Sequence, residues 1–275
     1  MEYKVKDITI YYEIYGSGTP ILMIHGWGPD HRLMKGCMEP IFQSINNPWK
    51  RIYFDLPGMG KTKGKPWIIG SDQMLDLILD FIDGIIPDQN FLIVGQSYGG
   101  YLARGVVKKR KSNINGLLLI CPVAAPETQQ ENAPILKVLE KDESFMNSLS
   151  EEDKEYFKTF AVLLNKRAWL RYQEEILKGL KIADNSFLEN CLGQNVPFNF
   201  KVDNLETPFM KPTLMIMGRQ DSAVGYCDLW QIIELYPRAS FVILDKAGHS
   251  LQIEQDILFN ELVKEWLNRV LEETD

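Results

Sequence analysis

Two kinds of pattern alternate along most of the 275 residues. Short, continuous apolar runs are typical of buried strands, and longer stretches with apolar residues at helical spacing follow them. The apolar runs span 21–24, 52–54, 91–94, 116–121, 213–217 and 241–244, and the helical stretches span 31–45, 71–86, 98–106 and 252–271. Strands that alternate with helices in this way predict an α/β fold, with a doubly wound, mostly parallel sheet and helices on both faces.

The chain begins with a different pattern, in which apolar and polar residues alternate. Ile8, Ile10, Tyr12 and Ile14 all fall on one face of an extended strand, and a glycine-rich turn follows at 16–18. This pattern predicts an antiparallel hairpin that enters the sheet at its edge.

The alternation of strands and helices is lost between about 126 and 212. Mixed stretches at helical spacing replace it at 136–139, 156–164 and 169–180, and Ser150 with the acidic residues after it is a strong helix start. We therefore predict a core domain of residues 1–125 and 209–275, with a helical cap inserted at 126–208.

Ser97 lies at a very tight predicted turn, in the middle of a Gly-x-Ser-x-Gly pattern between a strand and a helix. Gly95 and Gly99 suit such a turn because a Cβ at either position would collide with neighbouring atoms. The turn lifts the serine hydroxyl clear of the sheet and directs the N–H of Tyr98 toward any negative charge that develops beside it. The alternative is a glycine-rich turn with a solvated serine.

This strand, turn and helix resemble the nucleophile elbow of the α/β-hydrolase fold superfamily, and the resemblance extends from about Tyr3 to the last predicted helix. It implies a serine nucleophile at Ser97, as in the branch that contains esterases and carbon–carbon bond hydrolases. It also implies an acid at Asp221, in a Gly-x-x-Asp context after one strand, and a base at His249, in a Gly-His context after the last strand. The order Ser, Asp, His is that of the superfamily.

These three residue types suit acyl transfer. Imidazole, with an ordinary pKa of about 6.5, can take a proton from a serine hydroxyl and return it near neutral pH, and a carboxylate holds the imidazole in one tautomer. Asp228 is a weaker candidate for the acid. The alternative interpretation of Asp221 is a residue that serves only as a turn or helix cap. By resemblance, Glu254 braces the histidine loop and does not react.

A second glycine-rich loop is expected to complete the site. Acyl transfer places negative charge on the former carbonyl oxygen, so the site needs two donors already directed at that oxygen. The loop that starts at His25 resembles the His-Gly oxyanion loop of the superfamily, and we predict the backbone N–H groups of Trp27 and Tyr98 as the donors. The resemblance implies that His25 fixes this loop and is not the base.

The Gly-Lys-Thr sequence at 60–62 looks like the end of a phosphate-binding loop. The full motif requires a glycine where Asp55 stands, and that carboxylate would repel phosphate. By resemblance, this stretch is instead a structural connection after a strand, with Thr62 in place of a serine.

The composition of the chain limits the classes of partner that it is expected to bind. The net charge of −7 argues against nucleic acid and anionic membranes, and we interpret the basic run at 108–111 as the solvated end of a helix. No signal peptide or membrane-spanning run is evident, so the expected location is the cytoplasm. The four cysteines are scattered, which predicts buried free thiols, and no metal or organic cofactor is implied.

The predicted function is hydrolysis of a small carboxylic ester, thioester or lactone through an acyl-serine intermediate, with a small-molecule acyl substrate as the partner. Carbon–carbon bond hydrolases of aromatic ring-cleavage products are also similar, but they often carry a tryptophan where Ser250 follows His249 here. Proline iminopeptidases are a more distant resemblance. A small-ligand receptor without catalysis is the alternative from another class, because fold does not dictate function. The acyl group, the leaving group and the oligomeric state stay open.

Overall fold

The apolar runs predicted as strands pair into one sheet in the computed structural model, which describes residues 1–45, 48–124, 126, 133–159, 161–193 and 196–273. The strands are β1 (Glu2–Val5), β2 (Ile8–Tyr15), β3 (Thr19–Ile24), β4 (Trp49–Phe54), β5 (Phe91–Gln96), β6 (Ile114–Ile120), β7 (Glu140–Lys141), β8 (Leu163–Leu164), β9 (Thr213–Gly218) and β10 (Ala239–Leu244). The helices are α1 (His31–Ser44), α2 (Ser71–Ile85), α3 (Tyr98–Arg110), α4 (Glu143–Ser148), α5 (Glu151–Lys158), α6 (Lys166–Tyr172), α7 (Asn185–Phe187), α8 (Cys227–Trp230), α9 (Leu251–Glu254) and α10 (Asp256–Glu272).

Within the described residues, the main sheet has eight strands in the order β1-β2-β4-β3-β5-β6-β9-β10. β1 pairs antiparallel with β2, and β2 pairs antiparallel with β4, whereas the remaining neighbours pair in parallel. Helix α1 packs against α10, and α2 packs against α3. The predicted α/β fold, its mostly parallel sheet and the hairpin at its edge are therefore confirmed.

The central strands are largely apolar because helices cover both faces of a parallel sheet. Every residue of β5 and of β9 is buried. Ser97 directly follows β5, Asp221 follows β9 and His249 follows β10. Since the carboxyl ends of parallel strands meet at one edge of the sheet, the topology collects these three residues there.

The chain between β6 and β9 leaves the sheet and forms short helices. Ser150 accepts a hydrogen bond from the N–H of Asp153 and begins α5, as predicted. Helix α6 continues through a π-helical stretch (Gln173–Leu177) and a last turn (Lys178–Leu180), so the predicted helix over 169–180 is confirmed.

Two predicted helices in this region are wrong. The described part of 156–164 is helical only to Lys158 and then forms β8, and 136–139 is irregular and leads into β7. β7 and β8 pair in parallel as a separate two-stranded sheet. Apolar spacing did not reveal this pairing, because it depends on contacts between distant segments.

Residues 196–212, which we call the return segment, lie along helix α3. The Phe198 ring stacks on Tyr101 with 4.4 Å between ring centroids, Asp203 forms an ion pair with the buried Arg104, and the Lys111 side chain donates to a backbone carbonyl of this segment. The basic run at the end of α3 therefore binds the return segment in addition to being exposed. The division into core and cap at residues 125 and 209 stays a prediction.

The last predicted helix is interrupted in the structure. In place of one helix over 252–271, α9 ends at Glu254, and Gln255 interrupts the helix with φ −124° and ψ 45° before α10 begins. No helix among the described residues is long and apolar enough to cross a membrane.

Candidate active site

The turn at Ser97 has the strained geometry that the motif predicts. Ser97 has φ 54° and ψ −120°, in the region that residues other than glycine rarely adopt. A Cβ built on Gly95 would lie 2.3 Å from the carbonyl oxygen of Gly99, so the turn closes only around glycine. The N–H of Ser97 donates to the carbonyl oxygen of Ile120, which ties the turn to the neighbouring strand. Persistent strain of this kind is commonly found at functional sites.

Ser97, His249 and Asp221 form one line of hydrogen bonds. The Oγ of Ser97 lies 2.9 Å from Nε2 of His249, and Nδ1 of His249 lies 2.9 Å from Oδ2 of Asp221. Because the buried carboxylate only accepts, Nδ1 carries a proton and Nε2 is left to accept from the serine hydroxyl. Asp228 instead lies in α8, so the carboxylate at Nδ1 is that of Asp221.

The surroundings keep Asp221 ionised. Its side chain is fully buried, and burial by itself raises the pKa of a carboxyl group. The charge and hydrogen bond of His249 and the N–H groups of Val224 and Ala223 act in the opposite direction and outweigh burial, so the pKa of Asp221 is lowered. Both N–H groups donate to Oδ1, at 3.1 and 2.9 Å.

The interaction between Asp221 and His249 shifts the pKa of His249 in the opposite direction. Burial lowers the pKa of its imidazole, but the charge and hydrogen bond of Asp221, together with the charge of Glu254, outweigh burial. The net result is a pKa of His249 above its usual 6.5. The imidazole is therefore a stronger base than a free histidine, and its protonated form is favoured by the carboxylates around it.

The loop that carries Trp27 lies directly against the turn at Ser97. A Cβ on Gly26 would lie 3.1 Å from the Cβ of Ser97, and a Cβ on Gly99 would lie 2.3 Å from the carbonyl oxygen of Ile24. The Trp27 ring packs edge-on against Tyr98, with 5.4 Å between centroids. Glycine on both sides thus allows the two backbones to approach, and the predicted oxyanion donors flank one site.

His25 is occupied by the backbone of its own loop. Its side chain is fully buried, Nδ1 donates to the carbonyl oxygen of Gly26 at 2.7 Å, and Nε2 accepts from the N–H of Leu56 at 3.0 Å. Burial is the main cause that lowers the pKa of His25, so the imidazole is neutral. These contacts are those of a residue that fixes the loop.

Two cavities meet at Ser97. The open cavity, of about 480 Å³, has a predominantly apolar lining: Trp27, Gly28, Ser97, Tyr98, Val123, Leu180, Asn185, Leu188, Gly193, Val196, Ala223, Val224 and His249. The second cavity is smaller, about 70 Å³, and somewhat more enclosed, and we call it the closed cavity. It is lined by Trp27, Pro29, Leu33, Gln96, Ser97, Tyr172, Ile176, Leu180, His249 and Ser250. A volume of a few hundred Å³ is that of a small-molecule binding site.

A sequence model of the α/β hydrolase fold matches residues 19–256 of the chain. The chain belongs to the α/β-hydrolase fold family. A solved structure of an alpha/beta superfamily hydrolase from Oenococcus oeni PSU-1 is similar over 98% of this chain and 99% of that chain, with 31% identity and a TM-score of 0.84.

Curated relatives of this α/β-hydrolase are enzymes. Pimeloyl-(acyl-carrier protein) methyl ester esterase from Aeromonas hydrophila is 24% identical over 94% of this chain and all of its own length. A 2-hydroxy-6-oxo-6-(2'-aminophenyl)hexa-2,4-dienoic acid hydrolase from Metapseudomonas resinovorans is 23% identical over 92% of this chain and 86% of its own. The chain is accordingly an enzyme, a hydrolase of this fold.

Some residues at the site of this α/β-hydrolase were not predicted. Nε2 of Gln96 lies 3.5 Å from Nε2 of His249, and the Ser71 hydroxyl lies 2.8 Å from the Tyr98 hydroxyl. Gln96 could have been found, because it is the variable position just before Ser97 in the elbow motif. Ser71 carries no signal of its own, since it begins a helix far away in the sequence.

Cysteines and clustered donor atoms complete the description of this α/β-hydrolase. Cys37 and Cys121 are free and buried as predicted, but Cys227 is exposed, and the Cys191 side chain lies outside the described residues. The donor atoms of Cys121, Asp221 and His249 lie within 4.8 Å of one another, as do those of a second buried group, Asp30, His31 and Asp55. In the second group, Nδ1 of His31 is 2.7 Å from Oδ1 of Asp55, whereas Asp30 accepts from the backbone N–H and the guanidinium of Arg32 at the start of α1.

Proposed function

We propose that this hydrolase cleaves a small carboxylic ester, thioester or lactone through an acyl-serine intermediate. In this proposal Ser97 is the nucleophile, His249 is the general base and acid, and Asp221 orients the imidazole. The backbone N–H groups of Trp27 and Tyr98 bind the oxyanion.

The first half of the reaction acylates the serine. Oγ of Ser97 attacks the carbonyl carbon of the substrate while its proton passes to Nε2 of His249. The carbonyl oxygen becomes an oxyanion between the N–H groups of Trp27 and Tyr98. When the bond to the leaving group breaks, the proton on Nε2 goes to the departing alcohol or thiol, and the acyl group stays on Oγ.

The second half releases the acid. A water molecule gives a proton to Nε2 of His249, and its oxygen attacks the acyl carbon. The bond to Oγ of Ser97 then breaks, and the serine takes back the proton from Nε2. The chain thereby returns to its starting state, with the substrate divided into a carboxylic acid and an alcohol or thiol.

The observation that carries the proposal is the pair of 2.9 Å contacts through His249. They join a serine at a strained turn to a buried, ionised carboxylate, and the serine faces two cavities. A serine of structural importance alone would not need a hydrogen-bonded imidazole with a raised pKa.

The proposal is tested by covalent labelling with a fluorophosphonate, measured by intact-protein mass spectrometry. We expect a single adduct on the parent and none on Ser97→Ala. Ser250→Ala, which alters the serine next to His249, is the matched control and should still be labelled. Hydrolysis of an ester panel follows, starting from methyl esters because the name of the Aeromonas relative specifies one. Near-parental turnover by Ser97→Ala would overturn the mechanism.

Carbon–carbon bond hydrolysis is the second candidate, favoured by the similarity to the Metapseudomonas hydrolase. Against it stands Ser250, in the place where the enzymes of that group often carry tryptophan. A vinylogous diketone from aromatic ring cleavage serves as the test substrate. Turnover of that diketone above the best ester would favour this candidate. A labelled serine with no turnover of either substrate class, but with tight binding of a small ligand, would favour the receptor alternative.

A further inference from the structure

The two cavities at Ser97 share a wall but differ greatly in size. Trp27, Ser97, Leu180 and His249 line both cavities, so a carbonyl group at Ser97 would border both of them. The open cavity measures about 480 Å³ and the closed cavity about 70 Å³. The two substituents of the carbonyl carbon therefore meet very different amounts of space.

The closed cavity is surrounded by buried side chains. Leu33 from α1 is 1% exposed, Tyr172 at the end of α6 is 4% exposed, and Ile176 from the π-helical stretch is 8% exposed. By contrast, Asn185 at the rim of the open cavity is exposed. The closed cavity is therefore the smaller and the more enclosed of the two, whereas the open cavity has the wider access to solvent.

Close packing holds the wall of the closed cavity in place. A Cβ on Gly36 of α1 would lie 2.3 Å from Cγ of Glu175, and a Cβ on Gly179 would lie 2.7 Å from the backbone nitrogen of Asp30. Arg171 also donates to the carbonyl oxygen of Gln252 at 2.8 Å. Because helix and core touch along this line, the wall cannot move outward without breaking buried contacts.

The volume of the closed cavity limits what it can hold. A buried apolar cavity of about 150 Å³ accommodates benzene, which has six heavy atoms, so a third to a half of that volume accommodates about three. The polar groups of Gln96 and Ser250 border the cavity, but the remaining walls are mainly apolar. The fitting group is therefore short and apolar.

We propose that the substrate is an ester or thioester with two unequal arms. One arm, of up to about three heavy atoms, occupies the closed cavity, and a longer apolar arm occupies the open cavity. We assign the limit on the short arm to Ile176, because its buried side chain lines the closed cavity and does not line the open one. This inference rests on the proposed function, since it places the reacting carbonyl at Ser97.

Two series of esters test the proposal on the full chain after fluorophosphonate labelling has established a reactive Ser97. The first series consists of methyl esters of linear acids, and the second consists of acetate esters of linear alcohols, with turnover followed as acid release. One series should lose about tenfold or more in kcat/KM once its chain exceeds about three carbons. The other should keep or gain activity as its chain grows.

Variants of the cavity wall locate the limit. Ile176→Ala removes three side-chain carbons and should extend the accepted short arm by about two carbons in the same series. Ile176→Val is the milder change and should raise kcat/KM for the first excluded length, should the alanine variant fail to fold. Leu170→Ala is the matched control, because Leu170 lies in the same helix but is 51% exposed, and it should leave the limit unchanged.

The outcomes separate this inference from the proposed function. Absence of labelling and of ester turnover would overturn the proposed function itself. Labelling with equal tolerance of chain length in both series would overturn only the unequal arms. A third outcome is that Ile176→Ala and Ile176→Val both fold, as judged by circular dichroism, and leave the length limit unchanged. That outcome would overturn the role of the closed cavity.

Discussion

Glu254 accepts a hydrogen bond from the N–H of Val162, which lies 2.6 Å from its Oε1. Its other oxygen, Oε2, accepts from the N–H of Gly248 at 2.6 Å. Gly248 immediately precedes His249, whereas Val162 immediately precedes β8. One buried carboxylate thus joins the histidine loop to the segment between β6 and β9, whereas the bracing role inferred from the sequence concerned the histidine loop alone.

Glu254→Gln tests this junction. The amide replaces one accepting oxygen with a donor that faces an N–H group, so one of the two segments loses its partner. Loss of the charge also removes one cause of the raised pKa of His249. We expect kcat/KM to fall by about tenfold, and the acidic limb of its pH profile to move to lower pH.

The control for this change is Glu265→Gln, at a glutamate whose side chain is 53% exposed on α10. It should alter neither the rate nor the pH profile. If Glu254→Gln lowers only the melting temperature and leaves the midpoint of the acidic limb where it was, Glu254 has a structural role and does not position His249.

The pH dependence of the parent enzyme follows from His249. The base must be neutral to accept the serine proton, so kcat/KM rises with pH through the pKa of His249 in the free enzyme. Because that pKa is raised above 6.5, we expect the midpoint of the acidic limb above 6.5. A profile of kcat/KM between pH 5 and 9 measures it, and a midpoint at or below 6.5 would contradict the assigned base.

Asp221→Asn tests the orienting acid. An amide can donate to Nδ1, which places the imidazole proton on Nε2, the tautomer that cannot accept from Ser97. We expect a loss of about 10⁴-fold in kcat, with KM little changed. Asp228→Asn changes a nearby carboxylate of α8 and should retain most of the activity. The opposite ranking of the two variants would make Asp228 the acid.

Gly99→Ala tests the contact between the turn and the Trp27 loop. The added Cβ would lie 2.3 Å from the carbonyl oxygen of Ile24, a backbone atom that cannot rotate away. We expect a loss of about 2–3 kcal/mol in unfolding free energy, which corresponds to roughly 5–10 °C in melting temperature. Ser97→Ala is the matched change in the same turn and should melt near the parent, because it only removes an oxygen. Equal melting temperatures for Gly99→Ala and the parent would contradict the close approach.

The strands of the sheet could be predicted from the sequence for a simple physical reason. Strands covered on both faces are largely apolar, so runs such as those of β5 and β9 stand out between amphipathic helices. The nucleophile elbow could also be predicted, because the turn at Ser97 requires glycine at positions 95 and 99. The resemblance to the superfamily implied that Ser97, Asp221 and His249 act together, and the order of the parallel strands explains why they lie close to one another.

The region between β6 and β9 was predicted less well because distant contacts determine it. β8 forms where Glu254 binds the N–H groups of Val162 and Leu163, a partner 92 residues from Val162. The sequence likewise indicates a solvated helix terminus for the basic run at the end of α3, because its contact with the return segment joins residues that are distant in the chain. The closed cavity depends on residues from several elements, so a single pattern along the chain does not reveal it.

The way in which the segment between β6 and β9 is attached to the core allows its amino-acid sequence to change. β6 and β9 pair with each other in the sheet, for example through Leu117 and Thr213. The return segment, which precedes β9 in the chain, packs along α3. The segment between β6 and β9 therefore begins and ends on fixed parts of the core. Glu254 holds Val162 through its backbone N–H, which any residue except proline can supply. A new sequence at 133–193 would therefore inherit the same anchor points and a new set of cavity walls. Evolution can in this way alter the choice of substrate while the turn at Ser97 is passed on intact.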